Sequence, residues 1–147
     1  MATYTIGQAA EMTGLSVSTL RYYEKEGLLP FVERTGGGRR VFSDEDFRWL
    51  SIIECLKGAG VPIREIRQYI DWCLEGDATL DRRRDFFLRQ KARVEAQIAE
   101  YRRHLDKIEY KIWYYGRAIE RGTEDGQPSN CGALEAEYRR LKETGDL

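Results

Sequence analysis

Beyond Phe87 the chain repeats apolar residues at a spacing that few folds can use. Phe87, Val94, Ile98, Tyr101, Leu105, Ile108, Ile112, Tyr115 and Ile119 are separated, after a first step of seven, by alternating steps of four and three. Leu80 stands seven residues before Phe87 and extends the register backward. Such steps keep side chains on one face of an α-helix, and the residues that intervene between the seam positions from Arg89 to Arg117 are mostly charged, so the stripe is a heptad seam on an otherwise solvated rod. A helix from about residue 79 to 119 is on the order of 60 Å long at 1.5 Å per residue. A single stripe of that length has no matching surface in so short a chain, and a second copy in a two-fold dimer is its most economical cover. The alternative is a helix that crosses or folds back on its own chain, and the lack of a breaker before Gly116 argues against it. After Gly122, "GTEDGQPSNCG" reads as a turn-rich linker. The closing "ALEAEYRRLKETG" reads as a short helix with Leu134, Tyr138 and Leu141 on one side, which docks on the long helix, docks on a second subunit, or frays.

The first half follows a different grammar. "YTIGQAAEMTGLS" suggests an ordered start and a short helix that turns Ile6, Ala9, Ala10 and Leu15 inward and ends near Gly14. "VSTLRYYEKEGLL" then makes a second short helix, capped by Ser16 or Ser18 and closed at Gly27, a residue suited to a left-handed C-cap. Two short helices across a tight glycine turn are a helix-turn-helix candidate, with the second helix entering a major groove; a helical hairpin that binds nothing is the plain alternative. Ser18, Thr19 and Tyr22 share an exposed side at helical spacing, as a groove-facing helix requires.

Residues 30–42, "PFVERTGGGRRVF", read as a β-hairpin whose glycines supply positive φ angles or loop freedom. Arg39 and Arg40 leave that turn directly, either as a solubilising edge or as a wing whose guanidinium forks grip phosphate. Ser43 and Asp46 form a shortened capping box for a third helix through about Ala59, carrying Phe47, Trp49, Leu50, Ile52, Ile53 and Leu56. Pro62 begins a fourth, with Ile63, Ile66, Tyr69 or Ile70, and Trp72 or Cys73 recurring on one side until Gly76. The fold class is therefore dominated by α-helix: a four-helix unit with a wing over residues 3–75, a dimerisation helix over 79–120, and a linker and short helix over 121–147.

Charge and chemistry narrow the function. The formal net charge of -1 gives no global argument for a polyanionic partner, but binding depends on how charge is spread over one face. Three cysteines, Cys55, Cys73 and Cys131, are odd in number and irregular in spacing, which suits neither a disulfide framework nor a metal knuckle. With no leader pattern and no run near the roughly 20 apolar residues of a spanning helix, a soluble cytoplasmic protein without membrane contact is expected. The one histidine, His104, falls among Arg102, Arg103 and Asp106 as a solvated helix residue, and no phosphate loop, dinucleotide fingerprint or zinc-hydrolase signature is present. An enzyme is not expected, and neither a cofactor nor a resident metal is implied.

The order helix-turn-helix, arginine-bearing wing, two further helices and long dimer helix resembles the MerR family of bacterial transcription regulators. The residues resemble it too: "YTIGQAAEMTGLSVSTLRYYEKEGLLPFVERTGGGRRVFSDEDF" is similar to the family's N-terminal pattern almost end to end, and the likeness covers about residues 3–75. The resemblance implies a winged helix-turn-helix domain and a homodimer joined by an antiparallel coiled coil. It further implies binding to a pseudo-palindromic operator in double-stranded promoter DNA, between the elements that contact bacterial RNA polymerase. In such promoters the spacer is overlong, and the activated regulator bends and untwists it, which is indirect readout used as a switch. By the same resemblance Thr19, Arg21, Tyr22 and Tyr23 match recognition-helix contacts, Ser18 shares their exposed side, Arg39 and Arg40 match phosphate-gripping wing arginines, and Lys57 matches a basic residue that approaches the DNA backbone.

The effector is open at this level. Metal-responsive members carry cysteines at the start of the dimer helix and in a loop at its end; this chain has none near Thr79, and no second cysteine follows Cys131. "IIECLKGAGVPI" resembles the subgroup that answers reactive aldehydes and nitrosative or other electrophilic stress through one cysteine, here Cys55, whose thiolate can be alkylated or oxidised. The plain alternative is a small side chain filling the junction between the third helix and a partner's coiled coil. An effector-independent dimeric repressor, one answering a small hydrophobic ligand at Tyr101, Trp113, Tyr114 and the tail, and a structural coiled-coil adaptor also stand as alternatives.

Overall fold

Thr5 serves two elements at once. It ends a strand, β1 (Thr3–Thr5), and caps the first helix, α1 (Ile6–Thr13). Its hydroxyl accepts from the Gln8 N–H at 3.2 Å while the Gln8 side-chain oxygen accepts from the Thr5 N–H at 2.9 Å, so two orphan donors are satisfied reciprocally. The computed structural model describes residues 2–126 and 131–147, and of Cys131 only the backbone. Part of the expected linker and the Cys131 side chain therefore lie outside the described residues.

The remaining elements follow their punctuation closely. They are α2 (Val17–Lys25), β2 (Glu33–Arg34), β3 (Arg40–Ser43), α3 (Asp44–Gly58), α4 (Ile63–Glu75), a 3-10 turn (Asp77–Thr79), α5 (Leu80–Arg121) and α6 (Cys131–Thr144). The capping box expected at the start of α3 is present: the Asp46 carboxylate accepts from the Ser43 N–H at 2.8 Å, which also explains how a carboxylate is buried there. The hairpin expected over residues 30–42 forms only as the short β2–β3 pair, in which Arg34 stands opposite Arg40. Its turn is closed by the Gly38 N–H donating to the Thr35 carbonyl at 2.9 Å, with Gly38 at φ +80°. β1, which the periodicity does not reveal, joins the other edge of β3 and makes an antiparallel sheet in the order β1-β3-β2.

Residues up to Val94 form one compact unit. Its core is Leu20, Tyr23, Leu28, Phe42, Leu50, Ile53 and Ile66, each essentially removed from water. Burying each aliphatic or aromatic member stabilises the unit by about 1.5–3 kcal/mol, so the helices are held by this shared centre more than by their own propensity. An aromatic ladder extends it: Phe31 stacks on Trp49 at 4.5 Å, and Tyr69 stacks on Phe86 at 5.4 Å and meets the edge of Phe87 at 5.1 Å. Burial, with a hydrogen bond to half-buried Cys73, pushes the Tyr69 phenol up to about 12, consistent with Cys73 as a packing residue.

Residues 95–147 form the second unit. Here α6 docks on α5 of its own chain, one of the three fates the sequence leaves open. Leu134 and Tyr138 are buried against Tyr110, Trp113 and Tyr114, and Lys142 donates to Asp106 at 3.1 Å and Glu109 at 3.0 Å. Those two acceptors, Glu109 first, raise the Lys142 pKa above the usual lysine range. The heptad seam lies on a different side of α5. Ile98, Tyr101, Leu105, Ile108, Ile112, Tyr115 and Ile119 are between 46% and 78% exposed, so none of the described residues folds back to cover them. Among the described residues no helix is long and apolar enough to cross a membrane, and no group of three or more His, Cys, Asp or Glu side chains is placed to hold a metal.

Candidate nucleic-acid interface

α2 is shaped at both ends by side chains and backbone that the sequence places there. Ser16 caps it: its hydroxyl accepts from the Thr19 N–H at 3.0 Å and lies within hydrogen-bond reach of the Ser18 and Thr19 hydroxyls, at 3.0 and 2.8 Å. At the other end the Gly27 N–H donates to the Glu24 carbonyl at 3.1 Å and the Leu28 N–H to the Tyr23 carbonyl at 2.9 Å, a Schellman closure with Gly27 at φ +77°. Any larger residue at 27 is strained by that φ and brings a Cβ to 3.3 Å from Arg67 Nε. Between the caps the helix is sharply two-sided. Leu20 and Tyr23 are buried, while Ser18, Arg21, Tyr22 and Lys25 are exposed at positions i, i+3, i+4 and i+7. Lys25 is a member of this face that the motif reading passes over; its spacing from Ser18 and Arg21 is the signal that identifies it.

Tyr23 requires a correction. The resemblance puts it among the recognition contacts, but its side chain has no exposed surface, and its hydroxyl is engaged inside the chain by Glu54 and Lys57. The physical reason is helix phase: neighbouring residues differ by about 100° around the axis, so when Tyr22 faces outward Tyr23 turns toward α3. Lys57 itself is exposed, with its ammonium 2.9 Å from the Tyr23 hydroxyl and 5.0 Å from the ring centroid. Cys55 is exposed on α3 between these two partners of Tyr23 in sequence.

In the wing the two arginines separate. Arg39 is exposed at the mouth of the turn. Arg40 is half-buried, and its guanidinium is ion-paired with Glu24 of α2. Arg34 reaches the same carboxylate at 2.5 Å and also donates to the Gly38 carbonyl at 2.9 Å. Glu24 thus ties both strands of the hairpin and its turn to the end of α2, a connection between distant residues that no local pattern reveals. Replacing Glu24 by alanine is expected to cost less than about 1 kcal/mol of stability, because the pairs are partly solvated. It should nevertheless loosen the wing and, where the wing grips phosphate as the resemblance implies, weaken DNA binding severalfold; gel-shift titration beside thermal unfolding checks both.

The chain carries similarity to known regulators over most of its length. It matches the family described as MerR HTH family regulatory protein over residues 4–72 and the family MerR, DNA binding over residues 47–110. It is 44% identical to an uncharacterized HTH-type transcriptional regulator of Haemophilus influenzae, over 82% of this chain and 90% of that one. The HTH-type transcriptional regulator AdhR of Bacillus subtilis is 37% identical over 60% of this chain and 64% of its own. Among solved structures, the crystal structure of HiNmlR, a MerR family regulator lacking the sensor domain and bound to promoter DNA, superposes with a TM-score of 0.77 at 42% identity, covering 86% of this chain and all of that one. A MerR family regulator from Bacillus thuringiensis superposes with a TM-score of 0.69 at 44% identity, over 76% of this chain and 97% of its own.

Proposed function

Because this chain belongs to the MerR family of helix-turn-helix transcription regulators, which makes it a DNA-binding regulator and not an enzyme, we propose that it works as a homodimer on a promoter operator. The observation that carries the proposal is the exposed apolar face from Ile98 to Ile119, on a helix that packs a different set of side chains, Tyr110, Trp113 and Tyr114, against α6. A second copy of α5 is the surface whose heptads match it. Two-fold pairing presents two α2 faces to the half-sites of a pseudo-palindrome, with Ser18, Thr19, Arg21 and Tyr22 at base edges and sugar-phosphate, and Arg39 and Lys57 at flanking phosphates. The same dimer distorts an overlong spacer between the polymerase-contacting elements and so activates or represses from one site. The domain assignment follows: residues 3–75 bind DNA, 79–120 dimerise, and 121–147 are a linker and a short helix that braces the dimerisation helix. The site of action is the bacterial cytoplasm, where the promoter and the polymerase are.

Cys55 is the proposed sensor, in the manner of the aldehyde- and electrophile-responsive subgroup. Its thiolate adds to the carbonyl carbon of an aldehyde; the S–C bond forms, the C=O π pair moves to oxygen, and that oxygen takes a proton. The support is position: the thiol is exposed on α3, and Glu54 and Lys57 beside it grip Tyr23 of α2, so a change at 55 acts next to the connection to the reading helix. A hydrophobic-ligand pocket has less support, because Trp113 packs on Tyr138 at 5.5 Å while Tyr101 stands apart on the seam. The test is transcription in vitro from the promoter upstream of the protein's own gene, with purified polymerase and formaldehyde. The wild type should change transcript output on adding the aldehyde, and Cys55→Ser should hold output at the untreated level while still binding the operator. A Cys55→Ser protein that responds as the wild type does removes the cysteine from the mechanism and leaves the effector-independent regulator.

A further inference from the structure

Tyr23 is buried more completely, and bonded more fully, than packing alone requires. Its hydroxyl donates to the Glu54 carboxylate and accepts from the Lys57 ammonium at 2.9 Å, so its donor and one of its acceptor sites are both used. The same ammonium lies over the ring. Glu54 and Lys57 are three residues apart on α3, on the same side of that helix, and close on the phenol together. Burial, and next the hydrogen bond to Glu54, raise the phenol's pKa above its usual value, so it keeps its proton and its role as donor.

α2 is only nine residues long, too short to hold its own conformation in water. Leu20, the other buried side chain of this helix, contributes apolar contact, which is strong but has no preferred direction. The hydrogen bonds of Tyr23 are directional. Direction matters because a rotation of about 10° moves a side-chain tip 5–6 Å from the helix axis by roughly 1 Å, the scale at which a forked contact to a base edge is lost.

We infer that Tyr23 is the positioning residue of the DNA-reading helix: its phenol, locked between Glu54 and Lys57 of α3, sets the rotation of α2 that aims Ser18, Arg21, Tyr22 and Lys25 at the groove. The inference rests on α2 being the reading helix and does not depend on Cys55. It assigns consecutive tyrosines opposite roles, Tyr22 outward to the ligand and Tyr23 inward to the scaffold.

Tyr23→Phe tests it, since the ring and its volume are kept and only the hydroxyl is removed. Affinity is measured for the operator and for a random duplex over a range of salt concentrations, with the unfolding midpoint recorded for each variant. Tyr23→Phe and Glu54→Ala should each lower operator affinity about tenfold, the effect of a lost hydrogen bond felt in both subunits. Random-duplex affinity and the salt slope should stay at wild-type values, because the Arg39 and Lys57 charges proposed to meet phosphate are both kept. The double variant should be no worse than the weaker single one, since both remove the same bond. Glu54→Gln, which keeps an acceptor, should recover most of the loss. The inference is overturned by an unchanged operator-to-random ratio in Tyr23→Phe, by additive effects in the double variant, or by a slope shallower by about one per subunit, the sign of a direct phosphate contact. Arg21→Ala is the control: if it too leaves the ratio unchanged, α2 is not the reading helix and the premise falls first.

Discussion

Glutamate at both Ile108 and Ile112 is expected to leave the protein folded and monomeric and to remove measurable operator binding. Both side chains are more than half exposed in the single chain and sit on an apolar surface with Tyr115 and Ile119, flanked by Lys107 and Lys111. A substitution at such a position usually changes monomer stability by no more than about 0.5 kcal/mol. In a dimer that buries this face the same change places carboxylates in an apolar seam, at an effective penalty of several kcal/mol for each ion, which is enough to weaken association by more than about a thousandfold. DNA binding then fails for a geometric reason, since a lone α2 reaches one half-site and the second no longer adds to it. Sedimentation equilibrium reads the monomer directly, and circular dichroism shows whether helix content is kept. A double variant that stays dimeric places the interface elsewhere and contradicts the seam as its site.

The second large effect belongs to Arg21→Ala. A bidentate arginine contact to a base contributes about 1–3 kcal/mol of discrimination, and a symmetric dimer makes it twice, so the loss is about 2–6 kcal/mol, or roughly 30-fold to 10⁴-fold in operator affinity. With Arg21 in its proposed role as a base contact, binding to random duplex should fall far less. Arg39→Ala provides the contrast. Its loss should weaken both duplexes alike and reduce the salt slope by about one for each subunit. Fluorescence anisotropy on both duplexes at three or more salt concentrations separates the two patterns. Equal losses on the two duplexes for Arg21→Ala contradict its role as a reader.

Local chemistry explains which features could be read before the fold was seen. Helix ends were legible because caps are written in neighbouring residues: Ser16 with Thr19, Ser43 with Asp46, Gly27 and Gly76. The long helix was legible because its period is sustained for many turns. β1 was not, since three residues are too few to show alternation and its partner β3 is remote in sequence. The Tyr22–Tyr23 pair shows the limit at a single site. Two identical residues side by side carry no signal for which is inside, and only the packing of α2 on α3 assigns Tyr23 to the core. Arg39 and Arg40 pose the same problem, and Glu24 of α2, remote in sequence, takes the second of them. Docking of α6 on α5 was open for a related reason, because an apolar stripe states that it needs cover and not which surface supplies it.

These cases share a consequence for function. The residues that face outward, Ser18, Arg21, Tyr22, Lys25 and Arg39, are presented by a smaller set that faces inward, Leu20, Tyr23, Glu24 and Arg40. Motif likeness marks members of both sets, Arg21, Tyr22 and Arg39 with Tyr23 and Arg40, without separating them, and their variants should differ in kind. On the proposed reading, outward changes should alter contacts with DNA, and inward changes should alter where those contacts point.

The most direct measurement is a nuclease footprint on the DNA upstream of the protein's own gene at low salt, with stoichiometry fixed by titration above the dissociation constant. Two protomers for each operator, protecting two half-sites related by a two-fold axis with heightened cleavage between them, is the result expected of a seam-paired dimer that bends its site. Absence of protection at low salt, or protection of a single half-site by one protomer, contradicts it.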